Sequence, residues 1–247
     1  MKVLVGIDDT DDIDSMGTGE FADILAKTVE KRDWGKCSRV TRHQLFVHSD
    51  IPYTSHNSSM CFVAELAETK LDDLITYAAE FLTQESAEGS DPGLCVAVID
   101  KVSSPELLIE FGGKAKKIVV TKDEAYSLAE ELGIHLSEHG GTGQGVIGAL
   151  AGVGLRLTGN DGRFKGRHRI KPAGNIATVG EIIAQTNIEV VKAIDGTVLS
   201  ADEPVLLGQK VKSVLLEHKC VLLVCPAENT SNEVKWETCA MKYLRKY

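Results

Sequence analysis

The sequence has no apolar run approaching the roughly 18 residues of a membrane-spanning helix. Its opening "MKVLVGIDD" reaches aspartates before a signal-length apolar segment develops. Both absences lead to the expectation of a soluble, cytoplasmic chain with no membrane partner. The six cysteines, Cys37, Cys61, Cys95, Cys220, Cys225 and Cys239, include no Cys-x-x-Cys pair to begin a zinc ribbon, so no zinc is expected. Cys61, Cys95, Cys220 and Cys225 fall in apolar, strand-like runs, where a reduced thiol serves as a small hydrophobe. Positive charge is also short: 27 Lys and Arg face 36 Asp and Glu, a formal net charge of −9. Such a chain has no global field for polyanions, and nucleic-acid binding would need a local basic surface or another domain. The sequence shows neither an internal repeat nor a low-complexity tract.

What is present suffices for a core. With 247 residues, 43% of them apolar, the chain can form one large domain or two modest ones, and two are expected. "KVLVGID" reads as a buried strand, and "TGEFADILAKTVEKR" puts Phe21, Leu25 and Val29 on one helical face with Thr18 as N-cap. "RHQLFVHS" and "SSMCFVAEL" read as strands, "KLDDLITYAAEFLTQ" as a helix and "LCVAVID" as a strand. "SPELLIEFGGKA" begins as a helix with proline in its first turn, "KKIVV" is strand-like, and "TKDEAYSLAEELG" carries helix start and stop signals. The glycine loop "HGGTGQG" then opens into the helix "VIGALAGVG". Beyond the basic, turn-rich stretch from Arg156 to Lys171, "TVGEIIAQT" reads as a helix, while "EVVKAID" and "QKVKSVLLEHKCVLLVCPA" read as strands. "EVKWETCAMKYLRKY" fits helix or strand. The expected class is α+β, a mixed architecture, with a first domain over 1–141 and a smaller ferredoxin-like domain over 142–247.

Two loops carry chemistry. "GIDDTDDID" sets five carboxylates into seven positions at the end of the first strand. Asp8, Asp9 and Asp11 are closest to the strand, where one or two carboxylates with waters and phosphates suit Mg²⁺, and a further Asp can orient or deprotonate an attacking group. A solvated acidic turn reads equally well from the spacing alone. In "GGTGQG", the residues Gly141, Thr142, Gly143, Gln144 and Gly145 can present backbone N–H groups to a phosphate at a helix start. The loop is neither a Walker A sequence nor a Rossmann fingerprint, and a plain glycine-rich connector has the same composition. Together the loops supply a cation site and an anion site, as ATP with Mg²⁺ requires.

Four collinear segments resemble the archaeal tRNA(Ile) 2-agmatinylcytidine synthetase (TiaS) family: "GIDDTD" followed by "MGTGEFA", then "IPYTSHNSS", "DPGLCVAV" and "GTGQGVIGALAGVG". The resemblance spans roughly residues 1 to 155. It implies a kinase-like domain named for three aspartates, followed by a ferredoxin-like domain, and ATP with Mg²⁺ as cofactors. It also implies phosphorylation of a cytidine C2 oxygen in tRNA, with agmatine displacing the phosphate. Asp8, Asp9 and Asp11 correspond to the family's aspartates, and Thr18 to a threonine that becomes autophosphorylated. The sequence departs from the family at Gln144 and Thr142, where the family's loop has Arg and Asn, and at Ser55 and His56 within a segment that keeps Pro52, Tyr53, Thr54 and Asn57. The resemblance also implies an OB-fold and a zinc ribbon, for which this sequence shows no ligands.

The leading expectation is an ATP- and Mg²⁺-dependent phosphotransferase or phosphorylation-activating ligase acting on a small molecule or a nucleoside-containing substrate. Its site comprises Asp8, Asp9, Asp11, Thr18 and the loop from Gly141 to Gly145. The alternatives are tRNA cytidine modification with RNA-binding modules supplied by a partner protein, and a non-catalytic nucleotide-binding regulatory module. His43, His48, His135 and His139 lack a compact ligand pattern and are expected to be structural or surface residues.

Overall fold

The structure, a computed structural model, describes residues 1–12, 14–51, 57–171, 175–227 and 234–247. Most of the segment "IPYTSHNSS", from Pro52 to His56, lies outside the described residues. The chain forms two compact units, Met1–Thr158 and Gly159–Tyr247. The boundary expected after residue 141 therefore falls at 158, because the helix that follows the glycine loop packs on the strands of the first unit.

In unit 1, β1 (Lys2–Asp8) is followed by α1 (Thr18–Lys31), β2 (Gly35–Cys37), β3 (Thr41–Gln44), β4 (Ser58–Leu66) and α2 (Leu71–Glu85). Next come β5 (Gly93–Val98), α3 (Pro105–Ala115), α4 (Lys122–Leu132), β6 (His135–Glu138) and α5 (Gly145–Leu157). The strands pair antiparallel throughout in the order β6, β5, β1, β4, β3, with β2 beside β3 on the same partner, β4.

The alternation of strand side chains divides β1 between two cores. Val3, Val5 and Ile7 join Phe21, Leu25 and Val29 of α1 and Leu74, Ala78 and Leu82 of α2 on one face. Leu4 joins α3, α4 and α5 on the other. Each fully buried Phe, Leu or Val contributes about 1.5–3 kcal/mol, so the apolar stripe of α1 fixes that helix to the sheet. Residues on the second face of β1 continue the count, so Gly6 and Asp8 face α5. A Cβ at Gly6 would overlap the Ala149 carbonyl oxygen, and one at Gly93 the Gly145 backbone. The small residues of β1, β5 and α5 thus bring the helix backbone close to the sheet.

Helix signals in α3 and α4 match the sequence reading. Pro105 opens α3, Thr121 and Glu124 form a capping box, and Gly133 ends α4 in the left-handed region at φ 66°. Two expectations change, and one strand was not expected. "KKIVV" forms no strand: it links α3 to α4, with Ile118 and Val119 exposed at 47% and 43%. The strand β6 was hidden by the mixed composition of "HLSE". Gly17, not Thr18, is the N-cap of α1, and Thr18 begins the helix.

Unit 2 contains β7 (Arg163–Phe164), β8 (Ile176–Thr178), α6 (Val179–Gln185), β9 (Val190–Ala193), β10 (Pro204–Leu206) and β11 (Val214–Leu216). It continues with β12 (Lys219–Pro226), β13 (Trp236–Thr238) and α7 (Met241–Leu244). The central strand β12 pairs with β9 in parallel and with β11 and β13 antiparallel. The mixed α+β class holds. Among the described residues, only α6 lies between strands of this unit, so their order differs from the βαββαβ of a ferredoxin-like fold. The ambiguous C-terminal stretch is both things: a strand, then a helical turn. Cys225 is not a free thiol as expected, because it forms a disulfide with Cys239 across the β12–β13 pair. Cys61, Cys95 and Cys220 are buried and outside any disulfide, as read. No described helix is long and apolar enough to cross a membrane.

Candidate active site

Asp8 is the last residue of β1 and faces α5. It is 9% exposed, and a Cβ at Gly148 would overlap its Oδ2, so the carboxylate lies against the backbone of the first turns of α5. Asp9 follows at φ 53°, in the left-handed region that Asp tolerates better than most residues, and so turns the chain at the strand end. Burial and the neighbouring Asp9 carboxylate push the Asp8 carboxyl up to about 8, although the Asp9 backbone N–H donates to it. Burial, then Asp91 and Asp11, raise Asp9 to about 6. The guanidinium of Arg42 partly offsets this crowding. Its Nε donates to Ser58 Oγ at 2.8 Å, and it attracts both Asp8 and Asp11.

Asp11 has a different role. Its Oδ1 accepts a close hydrogen bond from the Thr18 hydroxyl and another, at 3.3 Å, from the Thr18 backbone N–H. An acidic side chain seven residues upstream thereby satisfies the N-terminus of α1, where negative charge is favoured. Asp12 and Asp14 are exposed turn residues, with the Asp14 N–H donating to Asp12 Oδ1 at 3.0 Å. The Thr10 hydroxyl is fully buried and has no partner among the described residues, a rare condition that an incoming polar group would relieve.

The glycine loop is already occupied by the protein itself. Asp91 Oδ1 accepts from the backbone N–H groups of Thr142, at close range, and Gly143, at 3.2 Å, while Asp91 Oδ2 accepts from the Thr142 hydroxyl at 2.7 Å. The Gly145 N–H donates to the Asp91 carbonyl at 3.0 Å. Gly141 and Gly143 adopt φ 57° and 75°, and a Cβ on either would overlap a carboxylate oxygen, of Asp91 or Glu138 respectively. Lys122 closes the loop from the other side, donating to Glu138 Oε2 and to the Thr142 carbonyl, both at 2.8 Å. The loop therefore has the anion-binding form read from its sequence, but a carboxylate holds three of its donors. Asp91 was not singled out because it stands in a turn-like "SDPG", at the head of the segment "DPGLCVAV", and its partners lie 51 residues away.

A cavity of about 350 Å³ opens beside these groups. Asp8, Asp9, Gln144 and Gly148 line one part of it, and Leu45, Ile51, Ile118, Val119, Val120 and Ile147 form an apolar part, with Asn57 also on the wall. The segment misread as a strand thus supplies the apolar wall. Asp8, Asp9, Gln144 and Gly145 of the expected site meet at this cavity, whereas Asp11 and Thr18 pair with each other, and Gly141, Thr142 and Gly143 gather around Asp91. His135, Ser137 and His139 form a hydrogen-bonded chain along β6, at 3.0 and 2.8 Å. Burial lowers both histidines, in keeping with a structural role.

Among the described residues no three His, Cys, Asp or Glu side chains are gathered to hold a metal by themselves. Magnesium does not require that, because waters and phosphates complete its shell. Two adjacent carboxylates held above their ordinary range fit a cation that arrives with a phosphate ligand.

The first unit is thus an α+β domain: an antiparallel sheet covered by helices on both faces, with a carboxylate pair at a strand end against a glycine-led helix. No protein-family model matches the chain. The chain is similar to the tRNA(Ile) 2-agmatinylcytidine synthetase TiaS from Archaeoglobus fulgidus, at 32% identity over 161 residues, which cover 64% of this chain and 36% of that protein. The structure of TiaS in complex with its isoleucine tRNA and ATP matches with a TM-score of 0.55 and 31% identity, covering 62% of this chain and 36% of the other. That of TiaS with the same tRNA, AMPCPP and agmatine matches with a TM-score of 0.54 and 27% identity, covering 73% and 43%. The chain spans about a third of the length of the curated relatives it matches.

Proposed function

We propose that this chain is an ATP- and Mg²⁺-dependent phosphotransferase or phosphorylation-activating ligase of the TiaS type, acting on a nucleoside-containing substrate. The observation that carries the reading is the Asp8 and Asp9 pair at the cavity beside the α5 N-terminus. Its support from outside is the similarity to TiaS, which has been solved with ATP and with AMPCPP. Magnesium with ATP would supply an electrophilic phosphoryl group whose charge the metal offsets.

The residues of the chain divide the remaining work. Asp8 and Asp9 hold the cation, and the α5 N-terminus, with Gln144 and Gly145, faces the phosphates. Asp11 accepts from the Thr18 hydroxyl, the relation of a base to the group it deprotonates, which supports Thr18 as a phosphoacceptor. The apolar wall around Ile118 and Ile147 suits a planar ring and excludes water from the reacting end.

Incubation with γ-labelled ATP and Mg²⁺ tests this. Label should appear on the protein, and Asp11→Asn should retain nucleotide binding while transfer falls roughly 10²- to 10⁴-fold. Absence of both binding and transfer in the unsubstituted protein would refute the reading. A second reading, tRNA cytidine modification with RNA-binding modules from a partner, is favoured by the relatives solved with an isoleucine tRNA. Label transfer to tRNA only when such a partner is added would select it.

A further inference from the structure

The stretch from Lys117 to Val120 has the composition of a strand but pairs with no strand among the described residues. Lys117 and Ile118 close off α3, their N–H groups donating to the Lys114 carbonyl at 2.9 and 3.0 Å. The next two residues have no such bond. Among the described residues, the main-chain N–H and C=O groups of Val119 and Val120 make no hydrogen bond. In an exposed linker water would satisfy them, but Val120 is 6% exposed, and both residues border the cavity of unit 1. Buried main-chain groups are nearly always paired. Here they are left for a ligand in the cavity, as the edge of a sheet is left for another strand.

Asn57, on the same cavity wall, supplies a polar group of fixed sense. Its Nδ2 donates to the Phe46 carbonyl at 2.7 Å. Its main-chain carbonyl accepts from the Leu45 N–H at 2.9 Å and from Gln44 Nε2 at 2.7 Å, so the residue is held from both ends. Because the Phe46 carbonyl can only accept, the side-chain amide cannot turn over. Oδ1, to which no described group donates, is the atom left for a ligand. Asp50, also on this wall, is a carboxylate and likewise an acceptor.

The apolar part of the cavity therefore combines walls from Leu45, Ile118 and Ile147 with a side-chain acceptor and unused main-chain donors. A phosphate chain alone meets none of these. A base meets them together if its ring nitrogen accepts and the exocyclic amine beside that nitrogen donates, as N1 and the 6-amine of adenine do. A 6-oxopurine reverses both groups. We propose that Asn57 and the unpaired main chain at Val119 and Val120 set the base specificity of this site: Asn57 Oδ1 accepts from the adenine amine, and the N–H of Val119 or Val120 donates to N1. The proposal rests on the reading of unit 1 as an ATP site and adds the choice of adenine over a 6-oxopurine.

Calorimetric titration of the full chain with ATP, ITP and tripolyphosphate in the presence of Mg²⁺, together with amide hydrogen exchange, tests this. ITP differs from ATP at this edge alone, with an oxygen in place of the amine and a proton on N1. ATP should bind about 10- to 100-fold more tightly, because ITP leaves both protein groups mispaired. ATP should also slow exchange at the Val119 or Val120 amide, and tripolyphosphate should not. Asn57→Ala should bring ATP and ITP to within about threefold of each other. Affinities for ATP and ITP that agree within about twofold in the unsubstituted protein overturn the proposal. So does a full preference that survives Asn57→Ala, or valine amides that ATP leaves unprotected. In each of these results nucleotide still binds and the ATP reading stands. Absence of binding by nucleotides and tripolyphosphate alike removes that reading, and this proposal with it.

Discussion

The Asp8 carboxyl, raised to about 8 in the fold from an ordinary 3.8, makes the unliganded protein sensitive to pH in an unusual direction. Between those values the folded chain keeps a proton that the unfolded chain has released, so stability falls as pH rises through the window. Below it the penalty is absent; above about 8 it is complete. Asp9 adds a shorter window that closes near 6. Thermal melts from pH 5 to 8.5 should therefore show Asp8→Asn gaining on the unsubstituted protein by up to about 1.4 kcal/mol per pH unit. A constant offset between the two would show that Asp8 is ionised throughout. At this scale the sequence was informative about charge and silent about partners. Five carboxylates after a strand fit a cation site and a solvated turn equally well, and the fold divides them, with Asp8 and Asp9 at the cavity and Asp12 and Asp14 in an exposed turn. That Asp11 anchors Thr18, and that Asp91 reaches across 51 residues to the glycine loop, depends on tertiary approach, which no local pattern encodes.

Elements with a strong pattern were legible for a physical reason: α1, α2 and α4 each bury one defined face, which the sequence must write out, and β1, buried on both faces, reads as a continuous apolar run. "KKIVV" has the composition of a strand but lies between two helices, and so became a cavity wall. The glycines of α5 carry a sharper meaning than flexibility. Alanine in a helix interior is favoured over glycine by about 1 kcal/mol. Gly113→Ala in α3, where a Cβ meets nothing within 4 Å, should gain about that amount in a denaturant titration. Gly148→Ala should do the reverse and weaken ATP binding as well, because its methyl overlaps the Asp8 carboxylate. Equal gains at both positions would mean that Asp8 does not lie against α5.

At the scale of the whole molecule, each unit has its own buried clusters, and the disulfide belongs to the second alone. Closing a chain segment of 14 residues is worth about 3 kcal/mol in the chain-entropy account. Reduction should lower protection from hydrogen exchange in β12 and β13 and leave that of β1 and β5 unchanged. Uniform loss across both units would show that they unfold together. The unit boundary was misplaced by sequence because a glycine-rich loop resembles a linker, whereas here it docks a helix on β1 and β5. The same loop also governs how the protein meets its solvent. A tethered carboxylate, present at high effective concentration, already fills the loop's donors, so a lone inorganic anion competes poorly for them. A ligand with further points of attachment would compete better with Asp91 than a lone anion does, so on the proposed reading the loop would select by ligand length.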